Sequence, residues 1–262
     1  MENDAAACFD RIVTPLSSVA CQRLGMPSSA EHTHAETLLR MQFSIKTGYG
    51  ISSMTYGSSD EDPLQGQGQG SGNAPACWGA TMTPMWTSLQ SLSTSTFTAS
   101  TPDSATAVSL QGTAFVDDST LYTNDYHLPI PWTPLEAATD LERHAQIWEQ
   151  LLVTTGGALR LDKCFWWLLH WDWTNPVQPK PTVHDHNLNI TLTDHDKNTT
   201  SPVTHRSSDQ AERTLGVRIS PSGSNETELN HLYVKATNIA TRLINHKITR
   251  KAAWTAYRSI LA

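Results

Sequence analysis

Asp117 and Asp118 stand side by side inside a run, Thr113 to Tyr122, that is otherwise apolar or β-prone on both flanks. Adjacent ionised carboxylates repel one another. A strand–turn–strand reading resolves the conflict by setting the pair at the tip of a β-hairpin, where solvent or cations can neutralise it. The rest of the chain must then build a sheet around that hairpin. Carboxylate oxygens of this kind favour Mg²⁺ or Mn²⁺. Taken alone, two Asp residues in a turn serve a solvated turn as readily as a metal site, but the apolar flanks weigh against the solvated turn.

The other residues supply enough apolar material for a core: 38% of the 262 residues are hydrophobic and nine are Trp. Wholesale disorder is excluded on that composition. A net charge of −7 argues against a surface that binds nucleic acid all over, and leaves room for a local basic patch. Cys8, Cys21, Cys77 and Cys164 lie far apart with no paired spacing, which suits reduced thiols better than a disulfide framework or a zinc site. No apolar run reaches the roughly 18 residues of a membrane span. The Asn-x-Thr triplets at Asn189, Asn198 and Asn225 need a secretory route to matter, and no signal peptide is evident.

Along the chain, Leu16 to Leu24 reads as a short helix ended by Gly25 and Pro27, and Ala35 to Met41 as a second helical piece. Gln42 to Tyr56 reads as one or two strands. A Gly/Gln-rich stretch from Gln65 to Gly72 precedes Pro75 and an apolar helix to Leu92. Ser91 to Ser109, dominated by Ser, Thr and Ala, reads as a loop or linker. Pro134 opens a strong helix to about Val153 that points Leu135, Leu141, Ile147, Leu151 and Leu152 at a core, and Gly156 and Gly157 stop it. Ala158 to Trp173 is strand-like, Pro202 to Gln210 loop-like, Arg213 to Ile219 a short strand, and Glu226 to Leu261 two helices. Helices interleaved with strand pairs predict a layered α+β fold.

Five short motifs occur in a telling order. Asp4, Phe9 and Asp10 stand in Asp-Ala-Ala-Ala-Cys-Phe-Asp-Arg-Ile; Gly66, Gln67, Gly68, Gln69 and Gly70 are followed by Pro75; Phe115, Val116, Asp117 and Asp118 come third. Gly156 to Cys164, including Lys163, and then Thr214 to Val217 complete the series. In that order they resemble motifs A to E of the reverse transcriptases of retroelements, in the Cys-Phe-Asp-Arg-Ile variant of protist and algal elements, and they span almost the whole chain. The resemblance implies an RNA-directed DNA polymerase. It would have a palm, an antiparallel sheet backed by helices, over residues 1–200 with a Ser/Thr-rich insert near 91–109, and motif E with a partial helical thumb over 201–262.

It further implies that Asp4 and Asp117, with Asp118 as a weaker third carboxylate, hold two Mg²⁺ or Mn²⁺ ions. By the same likeness Ala5, Phe9, Gln69 and Gly70 meet the incoming dNTP, Phe9 as a gate against a 2′-hydroxyl. Lys163 is a candidate general acid for the leaving pyrophosphate, and Leu215 and Gly216 belong to a primer grip. An ordinary core aromatic, a flexible linker, a surface lysine and a plain β-turn are the respective alternatives. Partners would be an RNA template with a DNA primer and dNTPs, no membrane, in an intracellular and nuclear setting.

Independent support lies near the end of the chain, where Leu229 to Ala262 holds no Asp or Glu but carries Lys235, Arg242, Lys247, Arg250, Lys251 and Arg258. Such a segment suits contact with phosphates, or else forms a basic solvated face. His184 to His186 and Asp194 to Asp196 offer possible metal ligands, yet their polar surroundings argue against a site. Trp166, Trp167, Trp171 and Trp173 suit core packing better than base stacking. The family carries fingers before motif A, and only three residues precede Asp4. The expectation is therefore a chain that folds poorly and polymerises little by itself. Two other functions compete: a non-catalytic remnant that only binds nucleic acid, and an unrelated Mg²⁺-dependent hydrolase using the same acidic trio.

Overall fold

The computed structural model describes residues 1–59, 64–68, 71–126, 128–172, 174, 180–182, 188–195, 197–245, 249–252 and 254–255. In chain order, β1 (Glu2–Asp4) leads to α1 (Cys8–Arg11), α2 (Thr14–Arg23), α3 (Ser28–Leu39) and the hairpin of β2 (Gln42–Thr47) and β3 (Gly50–Gly57). Then come α4 (Ala74–Leu92), β4 (Phe97–Ser100), β5 (Ala107–Leu110), β6 (Gly112–Phe115), β7 (Asp118–Leu121) and α5 (Pro134–Thr154). The remaining elements are β8 (Phe165–Trp167), β9 (His170–Asp172), β10 (Lys180–Thr182), β11 (Ile190–Asp194), β12 (Thr199–Arg206), β13 (Glu212–Thr214), β14 (Val217–Ile219) and α6 (Glu226–Asn245).

The chain divides into two units: Met1–Leu168 with His186–Arg206, and Leu169–Asp185 with Ser207–Ala262. The first is built on a six-stranded sheet ordered β11-β12-β8-β1-β7-β6. The fold is α+β, as the sequence predicts, but the sheet is mixed where an antiparallel one was expected. After β8 the chain returns at β11, which turns back into β12, so β12 runs parallel to β8.

Two helices supply much of the core. In α5 the spacing of Ala138, Leu141, Ala145, Trp148 and Leu152 draws one apolar stripe, all of it buried. Thr133 and Glu136 cap its start reciprocally and Pro134 fills the first turn. In α4 Trp78, Met82, Met85 and Leu89 do the same, and the Trp86 and Trp148 rings meet at 4.5 Å. Each fully buried large side chain contributes about 1.5–3 kcal/mol of transfer free energy. His144, buried on α5, lies 2.7 Å from the Ser93 hydroxyl and 3.1 Å from the Gln111 carbonyl, so it ties α5 to the segment between α4 and β6.

Several local expectations fail. Leu135 is 63% exposed, because it sits in the first turn of α5 off the apolar stripe. The Ser/Thr-rich stretch is no linker: it contains β4 and most of β5, which pair with the Thr98 and Ser109 hydroxyls 2.8 Å apart. Pro202 lies inside β12, and β11 fills part of the region expected to be irregular, burying Ile190 and Leu192. The helix expected from Ala35 begins earlier, at Ser28. Of the two helices expected after Glu226, α6 ends at Asn245, and much of the other lies outside the described residues.

The second unit holds the hairpins β9–β10 and β13–β14 together with α6. Leu215 (φ 51°) and Gly216 (φ 89°) are both left-handed, as a two-residue primed hairpin turn requires. Glu228 near the start of α6 accepts a 2.9 Å bond from the Arg218 backbone N–H.

Candidate functional site

Strand β1 lies between two segments remote in sequence. On one side Glu2 faces Thr120, Asn3 faces Ser119 and Asp4 faces Asp118, and the Ala5 N–H donates to the Asp117 carbonyl at 3.2 Å. On the other, Ala5 bridges Leu159, the Ala6 N–H donates to Ala158 at 2.8 Å, and the Arg160 N–H donates to the Asp4 carbonyl at 2.8 Å. Directly opposed residues of an antiparallel pair project to the same face from Cα atoms about 4.5–5.5 Å apart. Asp4 and Asp118 therefore share a face at the end of the sheet, beside the turn that holds Asp117.

That turn is strained and anchored. Val116 sits at φ 57°, a left-handed conformation that a β-branched residue rarely adopts and that costs on the order of 1–3 kcal/mol. It is held because the buried Trp78 of α4 donates its indole N–H to the Val116 carbonyl, and the Val116 side chain packs against the core.

Beyond β1 the chain passes through Ala7, also left-handed (φ 48°), into α1. The glycine-containing loop crosses there, with the Gly66 N–H donating to Ile12 at 2.9 Å and the Gln67 N–H to Phe9 at 2.7 Å. Gly66 has φ 96°, and a Cβ at its position would lie 2.4 Å from the Asp10 carbonyl oxygen. Arg11 closes the other flank by donating from Nε to the Gly156 carbonyl at 3.0 Å.

These elements enclose an open cavity of about 320 Å³, lined by the Ala5–Cys8 segment and by Asp4, Phe9, Asp117, Arg160 and Lys163. The Lys163 ammonium is 2.8 Å from Asp4 Oδ2, and the Asp4 carboxylate and its charge raise the lysine above its ordinary value. Arg160 is bound by both oxygens of Asp162, each at 3.0 Å. Burial raises the Asp118 carboxyl above its ordinary value; the charges of Asp117 and Asp4 add to this and Lys163 opposes it. Burial, followed by the Asp117 charge, pushes the Cys8 thiol up to about 12, and burial pushes Cys164 to about 12 as well. Neither thiol ionises near neutral pH, so neither is an activated nucleophile.

Among the described residues, no three His, Cys, Asp or Glu side chains form a ready-made metal cluster. The donor chemistry nevertheless suits a divalent cation, since Asp4, Asp117 and Asp118 stand at one sheet end and carboxylate oxygens are the ligands such an ion takes.

Of the residues singled out in the sequence, Asp4, Asp117, Asp118, Lys163, Ala5 and Phe9 meet at this sheet end. Gln69, Gly70, Lys247 and Arg258 lie outside the described residues, as do His184 to His186, Asp196 and Trp173. Leu215 and Gly216 form the hairpin turn of the second unit. Lys235 and Arg242, seven residues apart, share a face of α6, and with Arg250 and Lys251 they are exposed. Asp194 accepts from Lys197 at 2.8 Å and His195 pairs with the buried Glu149, so both serve local structure. Trp166 is buried, its ring 4.4 Å from that of His205, whereas Trp171 is 41% exposed. Sequence reasoning missed Arg160, whose only signal was its place three residues before Lys163, and Trp78, which gave none.

Fold and site together define an α+β protein whose mixed sheet ends in a cavity lined by the carboxylates Asp4 and Asp117 and the cations Arg160 and Lys163. No family model matches the chain, and no curated protein matches it either.

Proposed function

We propose that this chain is the palm-bearing part of a reverse transcriptase, an RNA-directed DNA polymerase of a retroelement. The observation that carries the reading is the register of β1 against β7, which pairs Asp4 with Asp118 and bonds Ala5 to Asp117. Asp4 and Asp117, with Asp118 beside them, would hold two Mg²⁺ or Mn²⁺ ions. Two such ions supply activation of a primer 3′-hydroxyl and stabilisation of the leaving pyrophosphate.

The protein's own groups do the rest. Phe9, lining the cavity and packed partly on the core, presents a ring where a 2′-hydroxyl would have to fit. Lys163 and Arg160 bring positive charge to the cavity that would receive a polyphosphate, and Lys163 is the candidate proton donor to pyrophosphate. Gln69 and Gly70 would meet the nucleotide, Leu215 and Gly216 the primer end. The basic residues of α6 and beyond, Lys235 and Arg242 among them, would meet template and primer phosphates.

The test is cation-dependent nucleotide binding to the purified chain. dTTP with Mn²⁺ should stabilise it by about 2.7 kcal/mol when present at about a hundred times its dissociation constant. UTP should stabilise it less, and Asp117→Asn should abolish both effects. Equal stabilisation with Mn²⁺ and with EDTA would refute the reading.

A further inference from the structure

The ion pair between Lys163 and Asp4 goes beyond what nucleotide chemistry alone would require. Lys163 is delivered from a rigid base: its own N–H donates to the Arg160 carbonyl at 2.8 Å, and the Arg160 N–H is bonded to the Asp4 carbonyl. The backbone that carries the ammonium is thus anchored to the same strand end as the carboxylate it neutralises. Arg160 is engaged by Asp162, so of the two cavity cations it is Lys163 that sits on the acidic trio. Within that trio the ion pair is made with Asp4.

We infer that Lys163 is the resident counter-ion of Asp4, and that a divalent cation enters by displacing it, so that Lys163 sets the cation affinity of the site. The inference rests on the reading of Asp4 and Asp117 as cation ligands. Its physical basis is competition for one carboxylate. An ammonium 2.8 Å from Oδ2 occupies one of the lone-pair sites on that oxygen and offsets the carboxylate charge that draws a metal. A divalent ion held by the same carboxylate would repel the ammonium. The displaced ammonium stays tethered by the Arg160–Lys163 turn at the cavity rim, beside the Arg160 guanidinium, where an anionic polyphosphate could then be received. Lys163 is 55% exposed, so its hold on Asp4 is moderate, and removing it should tighten cation binding about tenfold at most.

Mn²⁺ binding to the full chain, followed by electron paramagnetic resonance of the free ion, tests this in the native protein, Lys163→Met and Asp117→Asn. The expected result is binding about three- to tenfold tighter in Lys163→Met than in the native protein, and loss of binding in Asp117→Asn. A second measurement needs no variant: reductive methylation of Lys163, read by mass spectrometry, should accelerate severalfold when Mn²⁺ is added. Equal affinities with unchanged labelling, while Asp117→Asn still abolishes binding, would overturn the displacement and leave the carboxylate site standing. No Mn²⁺ binding to either the native protein or Lys163→Met would remove the cation reading and this inference together.

Discussion

Replacing Gly66 by Ala tests whether the glycine-containing loop is seated on the Asp4–Asp10 segment as tightly as the structure places it. Two costs add. At φ 96° any L-residue is strained, which costs about 1–2 kcal/mol. The new Cβ would also stand 2.4 Å from the Asp10 carbonyl oxygen and 2.6 Å from its carbon, both backbone atoms that cannot swing aside. Overpacking of that kind adds about 1–3 kcal/mol, for a total of about 2–5 kcal/mol. Gly68 supplies the control: it too is left-handed (φ 68°), but its Cβ would meet nothing within 4 Å, so Gly68→Ala should carry the strain alone. Urea unfolding of the native protein and both variants measures the difference. For a unit of this size each kcal/mol is about 2–4 °C in Tm, so heat gives an independent reading. Gly66→Ala should also weaken Mn²⁺ binding, because the loop's bonds to Phe9 and Ile12 brace the segment that carries Asp4. Variants equal within about 0.5 kcal/mol, the usual scatter of a surface substitution, would show that the close approach is not real.

Other perturbations separate stability from function. Asp118→Asn should stabilise the protein at pH 7 by about 0.5 kcal/mol while lowering Mn²⁺ affinity, since it removes a partly buried charge that also faces the like charges of Asp117 and Asp4. The sign follows from the raised carboxyl: the native state holds its proton more tightly than the unfolded chain, whose carboxyl titrates near 3.8, so native stability falls as pH rises through the native value. The advantage of Asn should accordingly fade below pH 3.8, and a constant difference across urea titrations at several pH values would contradict this origin. Trp78→Phe leaves the Val116 carbonyl without its indole donor and should cost about 1–3 kcal/mol in urea unfolding. It should also loosen Mn²⁺ binding through the Asp117 turn, and unaltered binding would mean that the turn holds without its anchor.

The parts of this fold that were legible in the sequence are those written in local code. The hairpin around Asp117 and Asp118 announced itself by β-prone flanks, and α5 by Pro134, the Thr133–Glu136 cap and its apolar period. The parts that were not legible depend on partners. A Ser/Thr run pairs as β4 and β5, where the Thr98 and Ser109 hydroxyls meet and the Asn124 amide oxygen accepts from the Thr98 backbone N–H at 3.1 Å. The parallel entry of β12 beside β8 is a matter of topology that no single segment encodes. In the site, the carboxylates could be named from their residue types, but neither the Lys163–Asp4 pair nor the Trp78 anchor could, because each joins residues with no fixed spacing. Leu135 misled for the opposite reason: its hydrophobicity was read without its place in the helical turn.

A solvated acidic turn would need little of what surrounds Asp117. Water screens adjacent charges at an exposed tip without help, and a hairpin that carries no burden has no use for a β-branched residue in left-handed backbone. Here Val116 is held at φ 57°, a buried tryptophan from α4 fixes its carbonyl, and a lysine from a third segment neutralises the facing Asp4. Ala7 adds a second left-handed residue where β1 gives way to α1. Val116 and Ala7 depart from the conformation that stability alone would select; Ala7 lines the cavity, and Val116 precedes Asp117, which lines it too. Strain at these two positions, with core support at Val116, is what a preorganised site would require. A decorative turn would lack such supports, and that is the physical reason to look for the site at this end of the sheet.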